Sequence, residues 1–459
     1  MKYFLPFQKN VFQIINENPD KLNEIFDKFD CINDYNIENF SSFNQSLEGL
    51  VQNLEEENDK IIGYNLSNSI SLSTFVSMSK MNNLSLIDFI YENYEDYILN
   101  EENIPDLGFI LFKTGKDMNS KTKFENWILF VDNSSKLSSS DLKDLLSKIY
   151  EAIRKFLTAG KAGEGGMKLN EENSYYPPTD TMNDIIKLLE NIINETGASD
   201  KLYFGIDCNA NNYYNETNNT YEMDGFKKPP EIDELINFYI KLCDEHPLLK
   251  YLEDPLCNND SEGWKKLIDK FSEEKPDVKI VNKRIYNDDF QNLDNILQVE
   301  EEEEERKETE NNNVTTDKKD EKKEEKKEEK KDEKKDEKKD EKKEEKKDEK
   351  KEEKKEEEKK EEENVETETK SKITLEIQNI AINFGNLKTL NDYFELIRIG
   401  KDNELGVSVY DNIIESEQTC LIDLLLGTRI NRIILHGYTN KQDKILKLIE
   451  YLNFIEDLY

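Results

Sequence analysis

Apolar positions recur along this 459-residue chain with two different periods. Over residues 1–105 the spacing is helical, at Val11, Ile14 and Ile15 and again at Leu47, Leu50, Val51 and Leu54. Short continuous apolar runs follow at Leu107–Phe112 and Trp127–Val131 and read as buried strands. Helical spacing returns at Leu142, Leu145, Leu146, Ile149 and Ile153, and a Gly-rich turn occupies 159–166. Helices over Met182–Thr196 and Glu231–Glu245 then alternate with the runs Phe204–Asp207 and Tyr251–Glu253, and Val278–Val281 is a third strand of that series. Further along, the pattern predicts strands at Ile373–Ile377, Gly406–Tyr410 and Arg432–Leu435, with helices at Leu390–Arg398, Gln418–Leu426 and Asp443–Leu452. Strand–helix alternation of this kind predicts an α/β barrel, preceded by a mostly helical segment.

Residues 300–370 interrupt the pattern with a Glu-Lys-Lys-Asp/Glu tetrad that offers no apolar surface to a core. The four-residue period stacks like charges at i,i+4, so the tract is expected to be a disordered or flickering-helix linker. It lies between a helix at 290–297 and the strand at Ile373, an α-to-β connection on the face of a barrel away from its active end. A long loop is tolerable there because closure cost grows slowly with length. The tract holds 35 acids and 25 bases, so most of the chain's net charge of −37 belongs to the remainder. Such a body repels nucleic acid and anionic lipid, which excludes both as expected partners. No apolar run reaches the length that spans a bilayer, the N-terminus does not read as a signal peptide, and five cysteines form no CxxC pair. The expected location is cytoplasmic.

The candidate chemistry lies in two strand ends, Phe204-Gly-Ile-Asp207 and Tyr251-Leu-Glu253-Asp254-Pro255. Carboxylates at the C-terminal tips of barrel strands are how such a fold presents ligands to a divalent metal. With their neighbours, these segments resemble the enolase family. Phe204-Gly-Ile-Asp207-Cys-Asn-Ala210 resembles the strand with the first metal-binding Asp, and Leu252-Glu253-Asp254-Pro255 the strand with the second ligand. Glu164-Gly165-Gly166 resembles the loop of the catalytic acid, and Thr374-Leu-Glu376-Ile-Gln-Asn-Ile380 the strand that carries the base. Gly406-Val-Ser-Val-Tyr-Asp411 resembles the strand ending in a phosphate contact, and Ile455-Glu-Asp457 the acidic ending. The resemblance implies an α+β N-terminal cap, divergent and truncated, over 1–105. It implies a barrel in two parts, 106–299 and 371–459, with the charged tract inserted between them.

The family reaction removes a proton beside a carboxylate, using magnesium to hold the developing charge and a Lys as base. By residue type, much of that equipment is replaced. A gapless match puts Arg284 at the third metal-ligand position, where it is expected to pair with Asp207 and Glu253 in place of the metal. Glu376 stands for the base, Asp411-Asn412-Ile413 for the phosphate contact, and Leu435 for the Lys that grips the substrate carboxylate. Asp117 and Asn126 stand where the family has a His and an acid. Glu164, Asp207 and Glu253 remain. The expectation is a catalytically degenerate enolase relative with a structural or interaction role, as a homodimer or paired with a true enolase. Magnesium is expected only if activity survives. The alternatives are a residual phosphopyruvate hydratase and a lyase on a less anionic substrate with Glu376 as base.

Overall fold

The computed structural model describes residues 19–29, 39–54, 56–100, 102–118, 120–159, 166–286, 288–297, 377–411, 419–438 and 442–458. The chain divides into two units, residues 1–294 with 375–459, and residues 295–374. Among the described residues of the first unit four helices come first, α1 (Pro19–Lys28), α2 (Phe40–Gln52), α3 (Glu57–Met81) and α4 (Leu86–Asn93). The barrel follows as β1 (Asp106–Lys113), β2 (Asn126–Val131), α5 (Ser139–Leu157), α6 (Met182–Thr196), β3 (Leu202–Asp207), α7 (Ile232–Glu245), β4 (Leu249–Glu253), α8 (Ser261–Glu274) and β5 (Lys279–Val281). It resumes with β6 (Asn379–Asn383), α9 (Leu390–Asp402), β7 (Gly406–Tyr410), α10 (Cys420–Gly427), β8 (Arg432–His436) and α11 (Gln442–Leu458).

The sheet order is β5-β4-β3-β2-β1-β8-β7-β6. β2 runs antiparallel to both β1 and β3, and the other neighbours are parallel. Closure comes just beyond β5, where Asn282 N donates to Asn379 O at 3.0 Å and Ala381 N to Asn282 O at 2.9 Å. All eight strands send a side chain into one buried cluster: Ile110, Ile128, Phe130, Tyr203, Tyr251, Val281, Ala381, Tyr410 and Ile434. The interior is therefore packed, not a pore. Its aromatic rings need space on adjacent strands. A Cβ at Gly108 would lie 2.6 Å from the Phe130 ring, and one at Gly205 2.7 Å from the Tyr251 ring. The helices lie where their apolar stripes predict. Leu142, Leu145, Leu146, Ile149 and Ile153 are the buried face of α5, and Ser138 starts that helix by accepting from Asp141 N at 3.1 Å.

Two expectations about the fold meet the described residues only in part. The strand predicted at Ile373–Ile377 is seated later, as Asn379–Asn383, and only Ile377 of the predicted run is among the described residues. In the seated strand the interior position is the small Ala381, which leaves room for the rings of Tyr251 and Tyr410. In the N-terminal segment the described residues 19–100 form helices and short helical turns, so the sheet expected of an α+β cap lies in none of them. α3 is unusual in what it buries: Asn65, Ser67, Asn68, Ser69, Ser71, Ser73 and Ser79. Some of these serve the barrel. Asn68 Nδ2 donates to Phe384 O at 3.1 Å, and Ser71 Oγ accepts from Leu390 N at 3.0 Å while donating to Asn44 Oδ1 at 2.6 Å. The cap thus holds the loop after β6 by satisfying its backbone groups.

Candidate functional site

β3 and β4 pair so that Asp207 and Glu253, the last residue of each, stand side by side in register with no exposure to solvent. Two buried carboxylates this close need a cation between them. That cation is the ammonium of Lys283. Its Nζ lies 2.8 Å from Asp207 Oδ2, in contact with Glu253 Oε1, and 4.6 Å from the centre of the Tyr410 ring. Lys283 follows the interior residue Val281 by two, so it leaves β5 on the barrel-facing side.

Arg284 takes different partners from those expected. Its guanidinium reaches Asp207 Oδ1 at 3.2 Å, Asp254 Oδ2 at 2.5 Å and Glu125 Oε2 at 3.1 Å, while the cation on Glu253 is Lys283. The expectation that Arg284 bridges Asp207 and Glu253 is thus half right: it holds the first acid and leaves the second to its neighbour. The two residues lie in the bend and turn just beyond β5, and their side chains leave the chain toward different partners. Asp254 fixes the arrangement. It sits at φ 43°, accepts from Lys283 N at 2.8 Å through Oδ1, and receives Arg284 on Oδ2. Asp tolerates this left-handed conformation better than most residues.

Every oxygen of the two acids carries a protic donor. Asp207 also accepts from Asn126 Nδ2 at 3.0 Å and Asn209 N at 3.0 Å, and Glu253 Oε2 from Tyr251 OH at 2.6 Å and Tyr410 OH at 2.7 Å. Burial alone would raise Asp207, but Arg284 and Lys283 together hold it below the ordinary carboxyl range. Burial pushes Glu253 up to about 7, since Lys283 is shared and the charges of Asp207 and Asp254 add to the rise. Lys283 is held above its ordinary value by Asp207 and Glu253, against the effect of burial. Magnesium needs near-octahedral oxygens at roughly 2.0–2.1 Å, and these oxygens face N–H and O–H groups instead. A dication about 4 Å from the ammonium would be opposed by roughly 8 kcal/mol at an effective dielectric of 20. As arranged, these residues do not fit the metal.

Among the other expected positions, Glu164, Glu376, Asn412 and Ile413 lie outside the described residues. β6, the strand of the expected base, ends at Asn383, whose Oδ1 accepts from Gly385 N at 3.1 Å and whose N donates to Asp288 Oδ1 at 2.9 Å. Asn126 enters the mouth as a donor to Asp207, and the carboxylate beside it is Glu125. Glu125 is also 3.5 Å from Lys113, which pairs with Glu172 at 2.5 Å. Asp411 is buried just beyond β7. Its Oδ1 accepts from His436 N at 2.7 Å and contacts His436 Nδ1 at 2.8 Å, and its Oδ2 contacts the ammoniums of Lys447, at 3.0 Å, and Lys444. Burial would raise Asp411, but the two lysines and His436 hold it well below the ordinary range. Leu435 lies outside the interior register, and the last residue of β8 on the face of interior Ile434 is His436. Sequence reasoning missed Lys283, Glu125, Lys444 and Lys447, and took Asp254 only as part of the second strand end. Counting by two from Val281 was the available signal for Lys283.

Residues 109–301 match the family model described as enolase, C-terminal TIM barrel domain. An enolase of Methanococcus aeolicus is 30% identical over 130 residues, covering 28% of this chain and 30% of that protein. An enolase of Metallosphaera sedula is 33% identical over 121 residues, 26% of this chain and 28% of that protein. One of Sulfurisphaera tokodaii is 26% identical over 238 residues, 51% of this chain and 52% of that protein. The chain spans about half or less of the length of these curated relatives. Among the described residues no helix is long and apolar enough to cross a membrane. The matched segment runs from within β1 to beyond β5, so over that stretch the barrel of this chain is similar to the enolase C-terminal TIM barrel domain.

Proposed function

We propose that this chain is a catalytically degenerate enolase-family protein whose barrel serves a structural or interaction role. The observation that carries the reading is the end of β6. The strand seated there, Asn379–Asn383, carries no side chain that exchanges a proton near neutral pH, and Glu376, expected as the base, lies outside the described residues. The phosphate-contact strand supports it, because Asp411 puts an ionised carboxylate where a phosphate would have to dock and is itself held by His436, Lys444 and Lys447. Dehydration of 2-phosphoglycerate at saturating magnesium is expected to proceed at background rate. Turnover of about 1 s⁻¹, a modest enzymatic value, would defeat the reading.

The alternative is a weakly active, magnesium-using phosphopyruvate hydratase, favoured by the register that keeps Asp207 beside Glu253. The same assay separates the two. On the leading reading the protein works in the cytoplasm as a homodimer or paired with a true enolase, with residues 300–370 as a charged spacer. Isolation of the endogenous complex from cells carrying the full chain or one lacking 300–370 tests partner and spacer together. Loss of a partner on deletion would assign the tract a binding role and refute the spacer.

A further inference from the structure

We propose that Lys283 and Arg284 are a built-in replacement for a divalent cation, so that the mouth of this barrel keeps its shape by charge carried on the chain and takes no metal. The argument begins with charge. Lys283 and Arg284 bring two positive charges to Asp207, Glu253, Asp254 and Glu125, as a bound dication would. The seat is also built. Asp254 Oδ1 accepts the backbone N–H of Lys283 at 2.8 Å, which fixes the start of the side chain, and the Tyr410 ring at 4.6 Å supports its ammonium. The two acids present no free oxygen. Asp207 Oδ1 is taken by Asn209 N and Arg284, Asp207 Oδ2 by Asn126, Lys283 and Arg284, Glu253 Oε1 by Lys283, and Glu253 Oε2 by two tyrosine hydroxyls.

A metal could enter only by displacing Lys283 and turning several donors away. The arrangement therefore competes with a metal for the same two carboxylates, and Lys283, tethered to β5, is the competitor. Placing a carboxylate at position 283 should create an oxygen-ligand set of three acids, whereas a neutral apolar chain should not.

The test uses the full chain with Mn²⁺ as probe, followed by electron paramagnetic resonance and by the shift of thermal unfolding against EDTA. The wild type is expected to show no saturable site that depends on Asp207, and no change in unfolding temperature. Lys283→Asp is expected to unfold at lower temperature in EDTA, to recover with Mn²⁺, and to bind it at least about tenfold more tightly than the wild type. Lys283→Met is expected to lose stability without recovering. A saturable wild-type site abolished by Asp207→Asn would overturn the proposal, as would a folded Lys283→Asp protein that gains no site. Should Lys283→Asp fail to fold, the wild-type titration decides alone. None of these readouts uses turnover. A metal-binding but inactive wild type would sink this inference and leave catalytic degeneracy standing, and an active wild type without a metal site would do the reverse.

Discussion

Glu253→Gln isolates what the shared ammonium does for the weaker of the two acids. Glu253 is fully buried, and burial raises it from an ordinary 4.5 to about 7, in spite of Lys283. A carboxyl raised in this way binds its proton more tightly in the folded chain. The stability it supplies is complete below about pH 4.5 and is lost as pH rises through about 7. A rise of this size corresponds to roughly 3 kcal/mol. Glutamine keeps the shape and has no proton to lose, so the variant lacks this pH dependence. Urea unfolding of both proteins at intervals from pH 5 to pH 8 should show the wild type losing stability relative to the variant by about that amount. Two hydroxyls and an ammonium point at Glu253, and each favours the ionised form. If they prevail over burial, the difference stays flat or the wild type gains as pH rises, and either result refutes the reasoning.

Asp207→Asn should behave oppositely. Asp207 is held below its ordinary value, so its contribution is present above about pH 3.8 and lost only in stronger acid; a deficit of about 3–5 kcal/mol in urea unfolding should stay constant between pH 5 and pH 8. Gly205→Ala should cost about 1–3 kcal/mol by the same assay at pH 7, because the new methyl meets Tyr251 ring and Cβ atoms at 2.7 and 2.8 Å on the adjacent strand.

The barrel was largely legible because each strand except one is a compact apolar run, and α5, α6 and α7 show clean apolar stripes. β6 was misplaced for a physical reason. Its ends are Asn379 and Asn383, poor strand formers, and the more apolar Ile373–Ile377 run drew the assignment. The buried face of α3 was hidden because it is made of Ser and Asn whose partners are distant in sequence, such as Phe384 O and Leu390 N. At the mouth, Asp207 and Glu253 were visible as strand ends, but their cation was named one residue late. Gapless counting selects Arg284, whereas the two-residue period of β5 carries the inward direction from Val281 to Lys283. The distinction has a chemical consequence. An arginine alone would spread its fork over Asp207 and outer carboxylates, as Arg284 does, and leave Glu253 buried without a cation. The compact ammonium of Lys283 reaches the space between both acids. It is this residue, with Arg284 outside it, that makes the two buried strand-end acids a closed ion-pair centre.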